Sequence, residues 1–196
     1  RNDPGDDLVA VKVPYVLRQA AGKGQIPAYL KYTTFVPGKS NDGFLKINQP
    51  SNSTAEQLQK DVTAVHQVLK NELPTFSNTT ILNQSPKAGY REGMRLRGAY
   101  TLTADDVLSG MKFFDSACQG SWPIELWEPS KGLTLRYLEN NSNYDIPERC
   151  LCSPDIANLF AGGLLISTSR EAQGSTRVMG TSLATGEAAG KMAVRI

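Results

Sequence analysis

The residues best suited to chemistry lie near the C-terminal end of this 196-residue chain. A predicted helix from Arg177 to about Val194 carries interior glycines at Gly180, Gly186 and Gly190. Each interior glycine costs a helix about 1 kcal/mol relative to alanine, so the pattern favours a backbone that another element or a flat ligand approaches closely. The start of such a helix offers unpaired N–H groups and a positive dipole end to an electron-rich partner. Tight packing in an ordinary core is the alternative interpretation.

A second candidate group consists of Arg91, Arg95 and Arg97. These arginines could line an exposed strand face or form an anion site. An arginine cluster would suit a carboxylate or another anionic substrate, because the guanidinium fork binds such a group bidentately. Arg170 and Glu171 likewise allow two interpretations, as a solvated loop pair or as ligand contacts.

Metal chemistry is not indicated by the sequence. Cys150 and Cys152 form a C-x-C pair that lacks a second pair and a nearby histidine, so we interpret them as reduced thiols. The single histidine, His66, lies at the edge of an apolar helix stripe and is interpreted as structural. No residue is identified as a catalytic base.

Secondary structure is predicted from periodicity and from helix-start signals. A helix is predicted behind the capping-box spacing of Ser53 and Glu56 and ends before Pro74, and a short helix is predicted to start at the N-cap Thr103. Near the C-terminus, a buried strand (158–167) and a loop precede the glycine-bearing helix. Further strands are predicted at 8–16, 28–36, 43–47, 94–102, 111–118 and 133–138.

Composition places the chain among ordinary globular proteins. Its 40% hydrophobic and 20% charged residues are typical of that class, and a net charge of +2 gives no argument for a nucleic-acid partner. No apolar run reaches the roughly 18–20 residues that span a bilayer, so no membrane partner is expected. No secretory signal is visible, and a cytoplasmic location is expected.

Three segments resemble parts of the FAD-dependent oxidoreductase family. They are GYREGMRLRGAYTLTADDV (89–107), YDIPERCL (144–151) and the strand–loop–helix from Asn158 to Ala193. The C-terminal match brings together a strand, a loop, an arginine and a glycine-spaced helix in the family's order. The resemblance implies a flavoenzyme that transfers a hydride from a small organic substrate to FAD.

The resemblance also implies roles for individual residues. It places cofactor-binding residues beside the isoalloxazine ring, with backbone N–H groups at the N1–C2=O edge, and Gly180 and Gly186 allow close contact along the helix. Arg91 and Arg95 would face the substrate side of the ring. Two positions depart from the family pattern, Gly163 where an arginine is common and Trp127 where a histidine is frequent. The cofactor-binding residues that the resemblance implies at the loop–helix junction are Gly174, Ser175, Thr176 and Arg177.

FAD enzymes need a G-x-G-x-x-G turn between a strand and a helix to hold the pyrophosphate. The nearest string here, Gly22 to Pro27, has proline in place of the third glycine. We therefore expect the chain to be the C-terminal part of a longer protein whose N-terminal nucleotide-binding half is missing, in agreement with its start at Arg1.

The expected fold is α+β. A mixed or antiparallel sheet with one long covering helix would form a substrate-side domain (1–152). A strand, loop and helix of an incomplete FAD-binding domain would follow (153–196). A non-enzymatic β-rich module that binds carbohydrate or peptide is the alternative, and it would cap and cover the start of the last helix.

Overall fold

The computed structural model describes residues 8–39, 42–85, 88–139 and 142–195. Its helices and short strands confirm the α+β class. The helices are α1 (Val9–Gly22), α2 (Ala55–Glu72), α3 (Ala104–Ser109), α4 (Arg170–Thr176) and α5 (Met179–Ala193). The strands are β1 (Thr34–Pro37), β2 (Gly43–Lys46), β3 (Ser116–Gly120), β4 (Ile124–Glu128), β5 (Gly132–Arg136) and β6 (Tyr144–Pro147). Short 3-10 helices cover Ala28–Tyr32, Pro74–Phe76, Glu148–Cys150 and Gly163–Leu165.

Contacts divide the chain into two compact units. The first holds the described residues up to Ala88 together with Glu128–Gly132. The second holds those of Gly89–Trp127 and Leu133–Ile196. The boundary expected near residue 152 lies inside the second unit, and the assignment of 153–196 to a FAD-binding domain stays a prediction.

The first unit is built on two amphipathic helices. Helix α1 buries Val9, Val13, Leu17 and Ala20, which recur at helical spacing. Helix α2 begins at the N-cap Thr54, one residue after the expected Ser53, and contributes buried Val65 and Leu69 to the same core. Strands β1 and β2 pair antiparallel in this unit.

The second unit has its own core. Strands β3 and β6 pair antiparallel, and a separate two-stranded sheet joins β4 and β5. Fully buried Leu102, Ile124, Tyr144 and Ile146 pack with residues of α4 and α5. Helix α3 starts as predicted at Thr103, whose side chain and that of Asp106 complete a capping box.

Several predicted strands differ in the structure. Residues 8–16 are helical because their buried residues follow a helical stripe that continues to Ala20. Residues 28–32 form a 3-10 helix before β1, and 94–102 are irregular apart from a parallel bridge between Leu102 and Thr168. The predicted strand 158–167 is irregular around the 3-10 helix Gly163–Leu165, and the predicted loop after it contains α4.

None of the helices in the described part of the chain combines the length and hydropathy that a bilayer crossing requires.

Candidate functional site

Two consecutive helices in the second unit organise the candidate site. Helix α4 begins at Ser169, whose side chain accepts a hydrogen bond from the Ala172 N–H at 3.1 Å. Arg177 ends α4 in a helical conformation, and the extended backbone of Val178 then separates it from α5. The junction between the helices is therefore at Arg177 and Val178, after the predicted residues Gly174 to Thr176.

The start of α5 is open. Its N-cap residue, Val178, makes no side-chain hydrogen bond to the first turn. The N–H groups of the first turn, Met179–Thr181, therefore have no intrahelical or side-chain cap, and they lie at the positive end of a 15-residue helix. The side chain of Met179 is 84% exposed, and a Cβ built on Gly180 would meet no atom within 4 Å. An electron-rich group can therefore approach this end of the helix.

Three of the predicted cofactor residues are buried inside α4. Gly174 packs directly against the backbone of Glu125 in β4. A Cβ at residue 174 would lie only 2.8 Å from the Glu125 carbonyl oxygen. The Ser175 hydroxyl contacts both the Tyr144 hydroxyl, at 2.6 Å, and the Trp122 carbonyl oxygen. Within the described residues, the Thr176 Oγ1 is buried and has no hydrogen-bond partner.

Gly186 lies further along α5 and makes a close contact within the chain. A Cβ built on Gly162 would lie 2.8 Å from the Gly186 Cα, so the loop before the 3-10 helix runs against the α5 backbone. The next residue, Gly163, has a φ of 63°, a conformation that favours glycine, and its N–H donates to Thr185 Oγ1 at 2.9 Å. The close approach depends on glycine at residue 162, because a Cβ built on Gly186 itself would meet no atom within 4 Å.

Arg177 anchors the junction. Its Nη2 donates to the Glu125 carbonyl oxygen at 2.8 Å and lies 3.6 Å from Glu125 Oε1, and its Nη1 donates to the Arg91 carbonyl oxygen at 3.3 Å. Burial lowers the pKa of the Arg177 guanidinium, and the positive charge of Arg91 lowers it further, while Glu125 and Glu92 act in the opposite direction. The group is held by carbonyl and carboxylate oxygens and keeps its charge at neutral pH.

The structure brings both predicted substrate arginines to this junction. Arg91 Nη1 lies 4.0 Å from Glu125 Oε1, and 40% of the Arg91 side chain is exposed. Arg95 Nη1 donates to the Gln173 Oε1 at 3.2 Å, and the Gln173 amide donates in turn to the Leu164 carbonyl oxygen at 2.9 Å. Arg97, the third arginine of the predicted group, is exposed.

Two residues of this junction, Glu125 and Gln173, were not identified as site residues from the sequence. Gln173 lies four residues before Arg177, so the two share a helix face, but this signal requires α4 to be recognised as a helix. Glu125 lies in strand β4, between the two tryptophans, in a segment for which no strand was predicted.

His66 and the cysteines are the other chemically notable residues. His66 shares a hydrogen bond with Thr79 in the first unit, and burial lowers the pKa of its imidazole. Burial raises the pKa of the Cys118 thiol to about 11 and that of Cys150 to about 12. In the described ranges, no cluster of three histidine, cysteine or acidic side chains is arranged to hold a metal ion.

Comparison with known proteins gives one match. The model of the family described as FAD dependent oxidoreductase matches residues 13–195, nearly the whole chain. No curated protein and no solved structure matches the chain.

Proposed function

This chain belongs to the FAD dependent oxidoreductase family, and we propose that it forms the C-terminal part of an enzyme that oxidises a small organic substrate. The observation that carries the proposal is the open start of α5, where Met179 is exposed and no side chain caps the first turn. An oxidoreductase uses such a helix start to stabilise negative charge on a reduced cofactor ring.

The residues at the start of α5 fit a flavin ring. The N1–C2=O edge of the ring accepts hydrogen bonds, and the first-turn N–H groups of Met179–Thr181 are donors without a cap. Gly180 presents no Cβ and has open space beside it, so a flat ring can contact its backbone. When bound, FAD supplies the two-electron acceptor that takes up the hydride lost from a substrate C–H bond, while the substrate also releases a proton.

The remaining predicted cofactor residues have supporting roles in this proposal. Arg177 fixes the junction through Glu125 and adds positive charge beside the helix start. Gly174, Ser175 and Thr176 hold α4 against the sheet and so position that arginine, and their backbone N–H groups lie within the helix. Gly186 is exposed and has open space where a Cβ would lie, so its backbone is accessible on that side.

Arg91 and Arg95 form the substrate side in this proposal. Both are exposed, and both are joined to the helix pair by contacts through Arg177 and Gln173. No residue at the junction is proposed as a general base.

We propose that the complete protein holds the FAD pyrophosphate with residues outside this chain. The glycine string at Gly22 follows the end of α1, whereas a pyrophosphate loop lies between a strand and the start of a helix. Residues 153–196 then complete a FAD-binding domain whose nucleotide-binding half is a partner of this chain. Titration of FAD into this chain is expected to show no saturable binding at micromolar concentrations. Tight binding would contradict the proposal that residues outside this chain hold the pyrophosphate.

A non-enzymatic binding module for carbohydrate or peptide would need no ligand at the start of α5. The helix start would then be capped and covered. The exposed Met179 and the absence of a side-chain cap at Val178 favour the oxidoreductase.

The experiment that tests the proposed function measures flavin in the complete gene product. The protein is expected to show oxidised-flavin absorbance and to release FAD on denaturation. A colourless protein that releases no FAD would refute the proposal.

A matched pair of glycine variants locates the flavin contact. Gly180→Ala and Gly190→Ala each add a methyl group where no atom of the chain lies within 4 Å, so neither should destabilise the fold. Made in the complete gene product, Gly180→Ala is expected to weaken FAD binding at least tenfold, because the methyl group keeps the ring from the backbone, and Gly190→Ala is expected to leave it unchanged. Equal FAD binding by both variants would exclude Gly180 as a contact.

A further inference from the structure

One face of α4 is lined with contacts to the segment 91–95. Arg170, Gln173 and Arg177 are spaced three and four residues apart, so they lie on the same side of the helix. Each of them meets a different residue of the segment. Arg170 Nε donates to Glu92 Oε2 at 2.9 Å, Gln173 accepts from Arg95, and Arg177 donates to the Arg91 carbonyl oxygen. The segment is thus fastened along the helix at three points.

This set of contacts carries an excess of positive charge. It contains four arginines and two carboxylates, Glu92 and Glu125. Glu92 pairs with Arg170, and Glu125 lies nearest to Arg177. Arg91 shares Glu125 with Arg177, at the longer distance of 4.0 Å, and among the described residues Arg95 contacts only the neutral Gln173, so the set holds two more arginines than carboxylates.

The same two arginines keep most of their hydrogen-bond donors free. A guanidinium has five N–H donors. Among the described residues, Arg91 donates no hydrogen bond and its nearest carboxylate oxygen is 4.0 Å away, while Arg95 donates one, to Gln173. Their backbone and helix partners hold them in place, since Arg91 is tied through its carbonyl oxygen and Arg95 through the buried Gln173.

We propose that Arg91 and Arg95 bind the carboxylate of the substrate, which is therefore an organic acid. A carboxylate is planar and offers two oxygens to the guanidinium fork. One carboxylate oxygen is already held between two of these guanidinium groups, because Glu125 Oε1 lies 3.6 Å from Arg177 and 4.0 Å from Arg91. Tyr90 and Met94 flank the two arginines and are 68% and 88% exposed, so an acid with an apolar body finds apolar surface beside its charged head.

Gln173 is a positioning residue in this site. It is 1% exposed, its amide nitrogen is bonded to the Leu164 carbonyl oxygen, and its amide oxygen faces Arg95. The side chain therefore has a fixed orientation that presents an acceptor to the guanidinium. A neutral acceptor orients Arg95 without neutralising its charge, which leaves that charge for a ligand.

Carboxylate binding is testable on this chain alone, with phenylacetate as the probe and uncharged phenylacetamide as its matched analogue. Saturable shifts of the Arg91 and Arg95 side-chain N–H signals in NMR titrations are expected with phenylacetate and not with phenylacetamide. Arg91→Gln and Arg95→Gln are each expected to weaken phenylacetate binding at least tenfold, as for the loss of a charge-assisted hydrogen bond. Arg95→Lys keeps the charge and is expected to weaken it less.

Arg136→Gln is the control, because Arg136 is an exposed arginine of β5 in the same unit. It is expected to bind phenylacetate as the unchanged chain does. The backbone amide spectrum of each variant reports whether it is folded. Equal binding of phenylacetamide, unchanged binding by both glutamine variants, or stronger binding of inorganic phosphate than of phenylacetate would overturn the assignment.

The role of this carboxylate site in substrate binding rests on the proposed function. The two can fail separately, because phenylacetate binding is measured on this chain without flavin and FAD content is measured on the complete gene product. A colourless complete protein whose Arg91 and Arg95 still bind phenylacetate would remove the oxidoreductase and leave the carboxylate site. A flavoprotein whose Arg91 and Arg95 do not bind phenylacetate would remove the carboxylate site and leave the oxidoreductase.

Discussion

Gly174 packs against the backbone of Glu125 with no side chain between them. A Cβ at residue 174 would lie 2.8 Å from the Glu125 carbonyl oxygen and 3.2 Å from its amide nitrogen. Helix α4 therefore rests directly on strand β4, and the same carbonyl oxygen accepts a hydrogen bond from Arg177 one turn later. The glycine sets the distance at which the arginine reaches the strand.

Gly174→Ala is expected to destabilise the chain by about 1–3 kcal/mol, because the added methyl group forces backbone atoms apart. Urea unfolding followed by circular dichroism measures the change. Gly190→Ala is the matched control, since its methyl group meets no atom within 4 Å and it should gain up to about 1 kcal/mol. A Gly174→Ala variant as stable as the control would show that α4 can move away from β4 without cost.

Removing the hydroxyl group of Ser175 or of Tyr144, which form a buried pair, should lower the free energy of unfolding by different amounts. Ser175 has one hydroxyl proton, and it donates that proton to the Trp122 carbonyl oxygen, so the Tyr144 hydroxyl is the donor to Ser175 Oγ. Ser175→Ala leaves a buried tyrosine hydroxyl without its acceptor and should cost about 1–3 kcal/mol. Tyr144→Phe leaves Ser175 bonded to Trp122 and should cost less. The reverse order in urea unfolding would contradict this hydrogen-bond direction.

High pH should destabilise the fold through the same tyrosine. Burial raises the pKa of Tyr144 from 10.0 to about 12. A pKa raised on folding gives stability that is complete below the unfolded value, so the loss should occur as the pH rises from about 10 to about 12. Tyr144→Phe should make the urea midpoint fall less steeply over that range. Part of the slope should remain, because the pKa values of Tyr29 and Tyr100 are also raised to about 12.

Low pH should act through Asp115. Hydrogen bonds from Arg149 hold the pKa of this carboxyl below its ordinary value of 3.8, with Arg149 Nε at 2.8 Å from Asp115 Oδ2. A pKa lowered on folding gives stability that is present above 3.8 and lost as the pH falls through the folded value. Asp115→Asn should flatten the dependence of unfolding free energy on pH in that acid range. Asp155→Asn removes a carboxyl at an exposed position and is the charge-matched control.

Helix α1 should be stabilised by Pro14→Ala. Pro14 lies inside the helix, where it has no N–H to donate to the carbonyl oxygen of Ala10. Alanine restores that hydrogen bond, while the more flexible unfolded chain offsets a part of the gain, so a net increase of about 1–2 kcal/mol is expected. Urea unfolding measures it. A loss of stability would mean that packing of the proline ring outweighs the missing bond.

The elements with local signals were predictable from sequence. Helices α2 and α3 begin with capping residues and were placed within a residue of their observed starts. Strand β2 was placed equally well. In contrast, α1 was interpreted as a strand because Val9, Val11 and Val13 alternate, whereas the buried stripe through Leu17 and Ala20 is helical.

The site was predictable in part. Arg91, Arg95 and Arg177 were named from sequence, and the structure brings them together. The pairing of Arg95 with Gln173 spans 78 positions of the chain, so no local pattern encodes it. Helix α4 was taken as a loop because Gly174, Ser175 and Thr176 are weak helix formers, and burial against β4 overrides that preference.

The short loop at residues 162–164 connects the two ends of the proposed site mechanically. Gly163 is bonded to Thr185 of α5, while the neighbouring Leu164 carbonyl oxygen holds Gln173, which in turn orients Arg95. A shift of α5 that carried Thr185 with it would act on this series of hydrogen bonds, and the Arg95 guanidinium lies at its far end. The position of α5 and the orientation of Arg95 are therefore linked by hydrogen bonds between backbone and side-chain groups of the chain.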